Sequence, residues 1–268
     1  MATLPTMDSG AYLDRIGYRG ALEPTASVLT SLHRAHLLSI PFENLDIPLG
    51  REIELSLASF YDKIIRRRRG GFCYELDGLF GWLLGQLGFR VALLSGRVYT
   101  GDRPGPEFDH MVLLITMKER MIADVGFGDS FMDPIALGPG EHVQGGVTYR
   151  LTGSATVRVL ERRRQGGQWE PQYDFSLTPR RLEEYAPMCR HQQTSPDSVF
   201  TRKSVCSLAT PDGRITLSNG RLIVTSGDQR QEGGIEGAEE YRALLRTRFG
   251  IELGSDADVS RLMDPACR

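Results

Sequence analysis

The spacing of apolar side chains changes character once along the chain. In TASVLTSLHRAHLLSI, Val28, Leu29, Leu32, Ala35 and Leu38 recur every three or four positions, which predicts a helix with one buried stripe. AYLDRIGY before it reads the same way. IPFENLDIPLG interrupts the period with Pro41, Pro48 and Gly50 and reads as a loop. SLASFYDKIIRRRR restores it and runs into Gly70 and Gly71, where that helix should end. A further helix starts near Cys73, places Leu76, Leu79, Phe80, Leu83, Leu84 and Leu87 on its buried side, and stops at Gly88.

Past that glycine the pattern shortens. FRVALLSGRVYT, DHMVLLIT, RMIADVGF, GVTYRLTG and ATVRVLER are β-rich segments divided by glycine, proline and charged turns, and RRRQGGQWEPQYDFSLT adds another hairpin. PRRLEEYAPMCRHQQTS returns to helical spacing. Short strands follow in SVCSLATPDGRITLSNGRLIVTS, where PDGR and SNGR signal hairpin turns through the positive φ that glycine supplies. GDQRQEGGIEG reads as a polar loop and AEEYRALLRTRFG as a closing helix ended by Gly250. Helices, then strands, then a mixed segment describe an α+β chain, not an alternating βαβ one.

Composition narrows the function classes. The 268 residues are 40% hydrophobic and 25% charged, ordinary for a chain with a real core. A net charge of −2 gives no electrostatic reason to bind nucleic acid or an anionic membrane. The N-terminal stretch lacks a basic region followed by an apolar one, and apolar runs such as MVLLITM are too short to span a bilayer. The expectation is a cytoplasmic protein. Its cysteines, Cys73, Cys189, Cys206 and Cys267, are far apart with no C-x-x-C pair, which disfavours a thiolate metal site. In a reducing compartment they stay thiols.

One cysteine is placed for chemistry. Cys73, in RRRRGGFCYELDGLF, stands between a diglycine turn and the first turn of a helix. Amides there lack intrahelical partners and carry partial positive charge, so they stabilise a thiolate and can hold an oxyanion. Arg69 adds positive charge nearby. A small buried core cysteine is the plainer alternative. DHMVLLIT and RMIADV flank a short charged turn and should pair as an antiparallel hairpin. Positions 110 and 124 are both even, so an even register puts His110 and Asp124 on one face, within a residue or two of opposition. Sequence leaves the register itself open. A carboxylate beside an imidazole fixes its tautomer and supports its charged form. His110 can equally cap a strand and Asp124 serve as a turn acid; with Cys73, however, they supply every role of a Cys–His–Asp system. His33 and His36, on the first amphipathic helix, read as packed or solvated. His142 and His191 lie in contexts seldom catalytic, and GFG at 126–128 opens no βαβ unit.

IPFENLD, RGGFCYEL, a histidine heading an apolar strand, ADVGFG, TSPDSVFTRKSV and TPDGRITLS occur in the order seen in the arylamine N-acetyltransferases, so the chain resembles that family over nearly its whole length. The resemblance implies an N-terminal helical bundle (residues 1–90) carrying Cys73. A central antiparallel β-barrel (91–190) would carry His110 and Asp124, and a C-terminal α/β lid (191–268) would follow. The core would be cysteine-protease-like, with Cys73, His110 and Asp124 as catalytic residues. Arg69 and Glu43 match positions that would pair to support the Cys73 loop. Phe42 and Phe127 match positions that line the acceptor pocket in similar enzymes, with ordinary core aromatics as the alternative.

The activity implied is acetyl transfer from acetyl-CoA to a small aromatic amine or hydrazine by a ping-pong route through a Cys73 thioester, with no metal. A macrolactam-forming amide synthase of the same family is an alternative, as is a cysteine amidase or thioesterase. One departure stands out. Many relatives have Asn where this chain has Asp77, and a carboxylate one turn from Cys73 would oppose thiolate formation if it faced inward. A capping or surface acid in the first helical turn is the reading preferred here.

Overall fold

A computed structural model describes residues 6–264, so Cys267 lies outside the described residues. The N-terminal part is helical: α1 (Ser9–Arg15), α2 (Ala26–Ser39), α3 (Leu57–Tyr61) and α4 (Cys73–Gln86). Thr25 caps α2 by accepting the Val28 amide. The buried face of α2 is not the stripe read from its apolar residues. Leu38 is exposed, and His33 and His36 take the inward positions beside Val28, Leu29 and Leu32. The helix α3 passes into a π turn over Asp62–Arg66 and ends with Arg68 at positive φ, before the diglycine that was expected to stop it.

Nine strands form a nearly closed antiparallel barrel. They are β2 (Arg90–Thr100), β3 (Arg103–Pro104), β4 (His110–Thr116), β5 (Arg120–Ala123), β6 (Ile135–Ala136), β7 (Glu141–Gln144), β8 (Val147–Gly153), β9 (Val157–Arg164) and β10 (Glu170–Arg180). The order is β6-β5-β4-β2-β10-β9-β8-β7, with β3 paired to β2. Strand β4 is buried almost throughout because each of its faces has its own core. Leu113 and Ile115 pack among the helices, whereas Val112 and Leu114 point into the barrel. That explains why MVLLIT reads as a continuous apolar run and not an alternating one.

A second sheet, β1 (Phe42–Glu43), β11 (Val205–Thr210), β12 (Gly213–Ser218), β13 (Arg221–Ser226) and β14 (Gln229–Gly234), packs with the closing helix Ala238–Phe249. Two sequence expectations change here. Phe42 and Glu43, read as loop, pair with Ser207 and Cys206 and tie the N-terminal part to this sheet. Gln229–Gly234, also read as loop, is an exposed edge strand. The hairpin at SNGR turns on Asn219 and Gly220, both at positive φ. At PDGR the turn is Pro211–Asp212 instead; Gly213 already pairs with Thr210 in the ladder. Among the described residues no helix is long and apolar enough to cross a membrane.

Candidate active site

The start of α4 is held from below by a buried ionic cluster. Lys63 Nζ lies 2.8 Å from Asp46, 2.9 Å from Glu75 and 3.9 Å from Glu43. Arg69 Nε donates to Glu43 at 2.8 Å and its Nη2 to Asp46 at 3.1 Å. Glu75 Oε2 also accepts the Phe72 amide at 3.0 Å, so the cluster reaches the residue that precedes Cys73. Three carboxylates thus face two cations. Burial, opposed by Lys63 and aided by Glu43 and Asp46, pushes Glu75 up to about 7. Burial works against Asp46 too, but Lys63 and Arg69 hold it at about 2. Sequence singled out Arg69 and Glu43. It missed Lys63, Asp46 and Glu75, because Lys63 sits in a basic run that reads as the solvated end of a helix.

The barrel supplies the second half. Leu113 pairs with Ala123 and Leu114 with Ile122, so the register continues to put Asp124 two positions from His110 on the barrel face of the hairpin. His110 Nε2 lies 2.9 Å from Asp124 Oδ2. The same oxygen accepts the Tyr173 hydroxyl at 2.7 Å, and Oδ1 accepts the amides of Gly126 and Phe127, each at 3.0 Å. Burial would raise Asp124, but His110 first, then Tyr173 and the Gly126 amide, hold it below the usual carboxylate range. With Nε2 engaged, Nδ1 is the ring nitrogen left for an acid–base partner. Gly96, opposite His110 across β2–β4, places no side chain between His110 and Tyr173, whose ring centroids are 5.0 Å apart.

Two residues behind the carboxylate were not recognised from sequence. Tyr173 looked like any core aromatic of a strand. His33, read as packed or solvated, is fully buried: Nδ1 donates to the Met132 carbonyl at 2.8 Å, and Nε2 accepts the Asp124 amide at 3.1 Å. Its position with His36 on the inward face of α2 was the available signal. Burial holds His33 below its ordinary value, consistent with a neutral ring.

The two halves meet at Gly126. A Cβ there would come within 2.7 Å of Cys73 Cα and 2.9 Å of the Cys73 carbonyl, so only glycine lets this turn lie against the Cys73 backbone. Asp77 closes the same space. It is fully buried, which overturns the reading of it as a surface or capping acid. Its Oδ1 accepts the Val125 amide at 2.9 Å, and its Oδ2 is buried with no donor facing it. Asp77, His110 and Asp124 bring donor atoms within 4.8 Å of one another. A cation would have to displace the four donors already on Asp124, so the set is a hydrogen-bond network and not an open ligand cage.

Cys73 itself is buried and free, as are Cys189 and Cys206. Its expected electrostatics need revising. Burial, then Asp77, Asp109, Cys189 and Asp124, push the Cys73 thiol up, and Arg69 is bound to Glu43 and Asp46. Phe127 packs on the His110 ring at 5.3 Å between centroids. Phe42 faces Gly128, 6.2 Å from the Phe200 ring.

Residues 25–258 match the family model described as N-acetyltransferase. The Mycolicibacterium smegmatis arylamine N-acetyltransferase is 36% identical over 92% of this chain and 93% of its own length. A pineal gland isozyme of Gallus gallus is 34% identical over 92% and 95%. Among solved structures, the Mycobacterium marinum arylamine N-acetyltransferase superposes with a TM-score of 0.88 at 34% identity, covering 97% of this chain and 100% of that one. The same enzyme in complex with CoA gives 0.86 at 34% identity over 96% and 97%. In sequence and in fold, this chain belongs to the arylamine N-acetyltransferase family.

Proposed function

We propose that this chain moves an acetyl group from acetyl-CoA to a small aromatic amine or hydrazine through a thioester on Cys73. The observation that carries the reading is the His110–Asp124 pair at 2.9 Å, set beside a glycine turn that lies against the Cys73 backbone. Supporting it are the names of the relatives and the CoA bound by one of them.

In the first half, Cys73 gives its proton to His110 Nδ1 while sulfur attacks the thioester carbonyl. Amides at the start of α4 have no acceptor inside the helix and can hold the oxyanion. Coenzyme A leaves with the proton from His110. In the second half, the uncharged amine attacks the acetyl group on Cys73, His110 takes its proton, and that proton returns to sulfur as the amide departs. Asp124 stays ionised throughout and stabilises the imidazolium. The first half exchanges one thioester for another and the second forms an amide, so the second drives the cycle. We place this activity in the cytoplasm, where the free thiols of Cys73, Cys189 and Cys206 remain reduced.

Intact-mass measurement with acetyl-CoA and no acceptor tests the donor and the nucleophile together. One acetyl group should add to the protein and be absent in Cys73→Ala. Coenzyme A release should then depend on an added aniline or hydrazine. Equal release with and without the amine would identify a thioesterase instead.

A further inference from the structure

Two buried carboxyl groups share one pocket beside Cys73, and their partners differ. Asp124 accepts from four donors: His110, Tyr173, and the amides of Gly126 and Phe127. Asp77 has one well-formed hydrogen bond, from the Val125 amide to Oδ1, with the Gly126 amide, already bonded to Asp124, as its other backbone neighbour. Its Oδ2 is buried with no hydrogen-bond partner, and Asp77 brings a carboxylate oxygen within 4.8 Å of His110 and Asp124. The groups that face Asp77 are Asp124 and His110 across the pocket, Cys73 on its own helix, and the hydroxyls of Tyr12, Tyr173 and Tyr185. Of these only His110 can carry positive charge, and its Nε2 is already engaged by Asp124.

Two adjacent buried carboxylates cannot both stay ionised; one of them keeps a proton. The four donors around Asp124 favour its charged form. The orphaned Oδ2 of Asp77 favours an O–H, because a hydroxyl turns an unsatisfied acceptor into a donor toward Asp124. We propose that Asp77 stands as an un-ionised acid that donates to Asp124, a positioning residue that orients the His110–Asp124 pair without adding negative charge beside Cys73. Burial and the neighbouring Asp124 push Asp77 far above the usual carboxylate range, in agreement with the geometry. The same reasoning accounts for the fit of an amide at this position, since Asn would present an N–H donor where Asp77 presents its O–H.

The inference rests on the transferase reading for its consequence but not for its test. Infrared spectra of the protein at about pH 7, where an ordinary carboxylate is ionised, should show an acid C=O band that Asp77→Asn removes. Kinetics gives the second readout. Asp77→Leu removes the donor and should lower kcat/KM for acetyl-CoA by about 10- to 100-fold, the size of a lost hydrogen bond to a charged group. Asp77→Asn should recover most of that loss and should abolish the alkaline fall in acylation rate that ionisation of Asp77 brings. Identical spectra for the protein and Asp77→Asn overturn the proposal, as do superimposable pH profiles. If the band is absent while acetyl-Cys73 still forms, the proposal fails and the transferase reading stands. If the band is present but no acetyl adduct forms, it is the transferase reading that fails.

Discussion

Replacing Lys63 with Met tests what holds the Cys73 turn. The ammonium is 3% exposed and touches Asp46 at 2.8 Å and Glu75 at 2.9 Å, with Glu43 at 3.9 Å. Methionine fills the same volume without charge and leaves three buried carboxylates facing Arg69 alone. Breaking a buried pair by removing one partner costs about 3–5 kcal/mol, a large share of the ~5–15 kcal/mol that separates folded from unfolded chains. The folded protein should therefore survive with a markedly lower urea midpoint. The pH dependence gives the sign. Losing Lys63 removes the charge that opposes the upward shift of Glu75, so Glu75 in the folded state binds its proton still more tightly than in the unfolded chain. Stability of the variant then falls as pH rises above about 4, the unfolded carboxylate value. The deficit relative to the parent should be largest near pH 8 and shrink toward pH 5. Glu75, pushed up to about 7 even with Lys63 present, is the first group to take a proton. Adding Glu75→Gln to Lys63→Met restores the original charge balance and keeps an acceptor for the Phe72 amide, so the double variant should recover at least half of the loss. Urea titrations at several pH values, run as a double-mutant cycle, measure all of this. A deficit under about 1 kcal/mol, or one independent of pH, would refute the account of the cluster.

Two further substitutions probe the other walls of the pocket. Tyr173→Phe removes the 2.7 Å bond to Asp124; three donors remain, so the Cys73 acetylation rate should fall about 10-fold, the lower end for a bond to a charged group. An unchanged rate in rapid-quench mass spectrometry would reduce Tyr173 to a packing role. Gly126→Ala drives a methyl group into Asp77 Oδ2 and to 2.7 Å from Cys73 Cα. It should cost about 1–3 kcal/mol by overpacking and suppress acetylation out of proportion to the fall in Tm; native-like acetylation would show that the turn can move aside.

How much of this was legible in the sequence depends on the range of each interaction. Helix α4, the β4–β5 hairpin and the closing helix follow from local periodicity and glycine stops. So does the shared face of positions 110 and 124, because parity survives any even register. The pairing of Phe42 and Glu43 with Ser207 and Cys206 did not, since two residues of strand have no period and their partners lie far along the chain. Leu38 misled for the opposite reason. Its spacing fits the stripe, yet His33 and His36 occupy the buried face because each finds a hydrogen-bond partner there, His33 on Asp124 and Met132 and His36 on the Tyr12 hydroxyl at 2.6 Å. A hydrophobicity pattern cannot register a polar residue whose partners are supplied by tertiary structure. Lys63, Tyr173 and Asp77 belong to the same class: each looks like a surface cation, a core ring or a capping acid until the residues that face it are known.

On the proposed transferase mechanism, the charge carried by the pocket decides how Cys73 would become a nucleophile. As an isolated thiol it is disfavoured from ionising by burial, then by Asp77, Asp109, Cys189 and Asp124. Transfer of its proton to His110 escapes that penalty, because thiol and imidazole become thiolate and imidazolium with no change in net charge, and the imidazolium already has Asp124 at 2.9 Å. Burial penalises a net charge far more than an internal ion pair with satisfied hydrogen bonds. An ionised Asp77 would undo this. At the 4.8 Å limit of the cluster and an effective dielectric of about 20, two like charges repel by ~3 kcal/mol, and the thiolate would meet a second negative neighbour as well. With Asp77 neutral, the net charge of the pocket is one negative before and after the transfer, and the carboxylate with the most donors stays beside the new imidazolium. The helix start adds its partial charge to the thiolate but need not generate it. The pH midpoint of alkylation at Cys73 therefore reports the proposed proton transfer from sulfur and not an isolated thiol. Asp124→Asn should raise that midpoint by withdrawing the charge that stabilises the imidazolium.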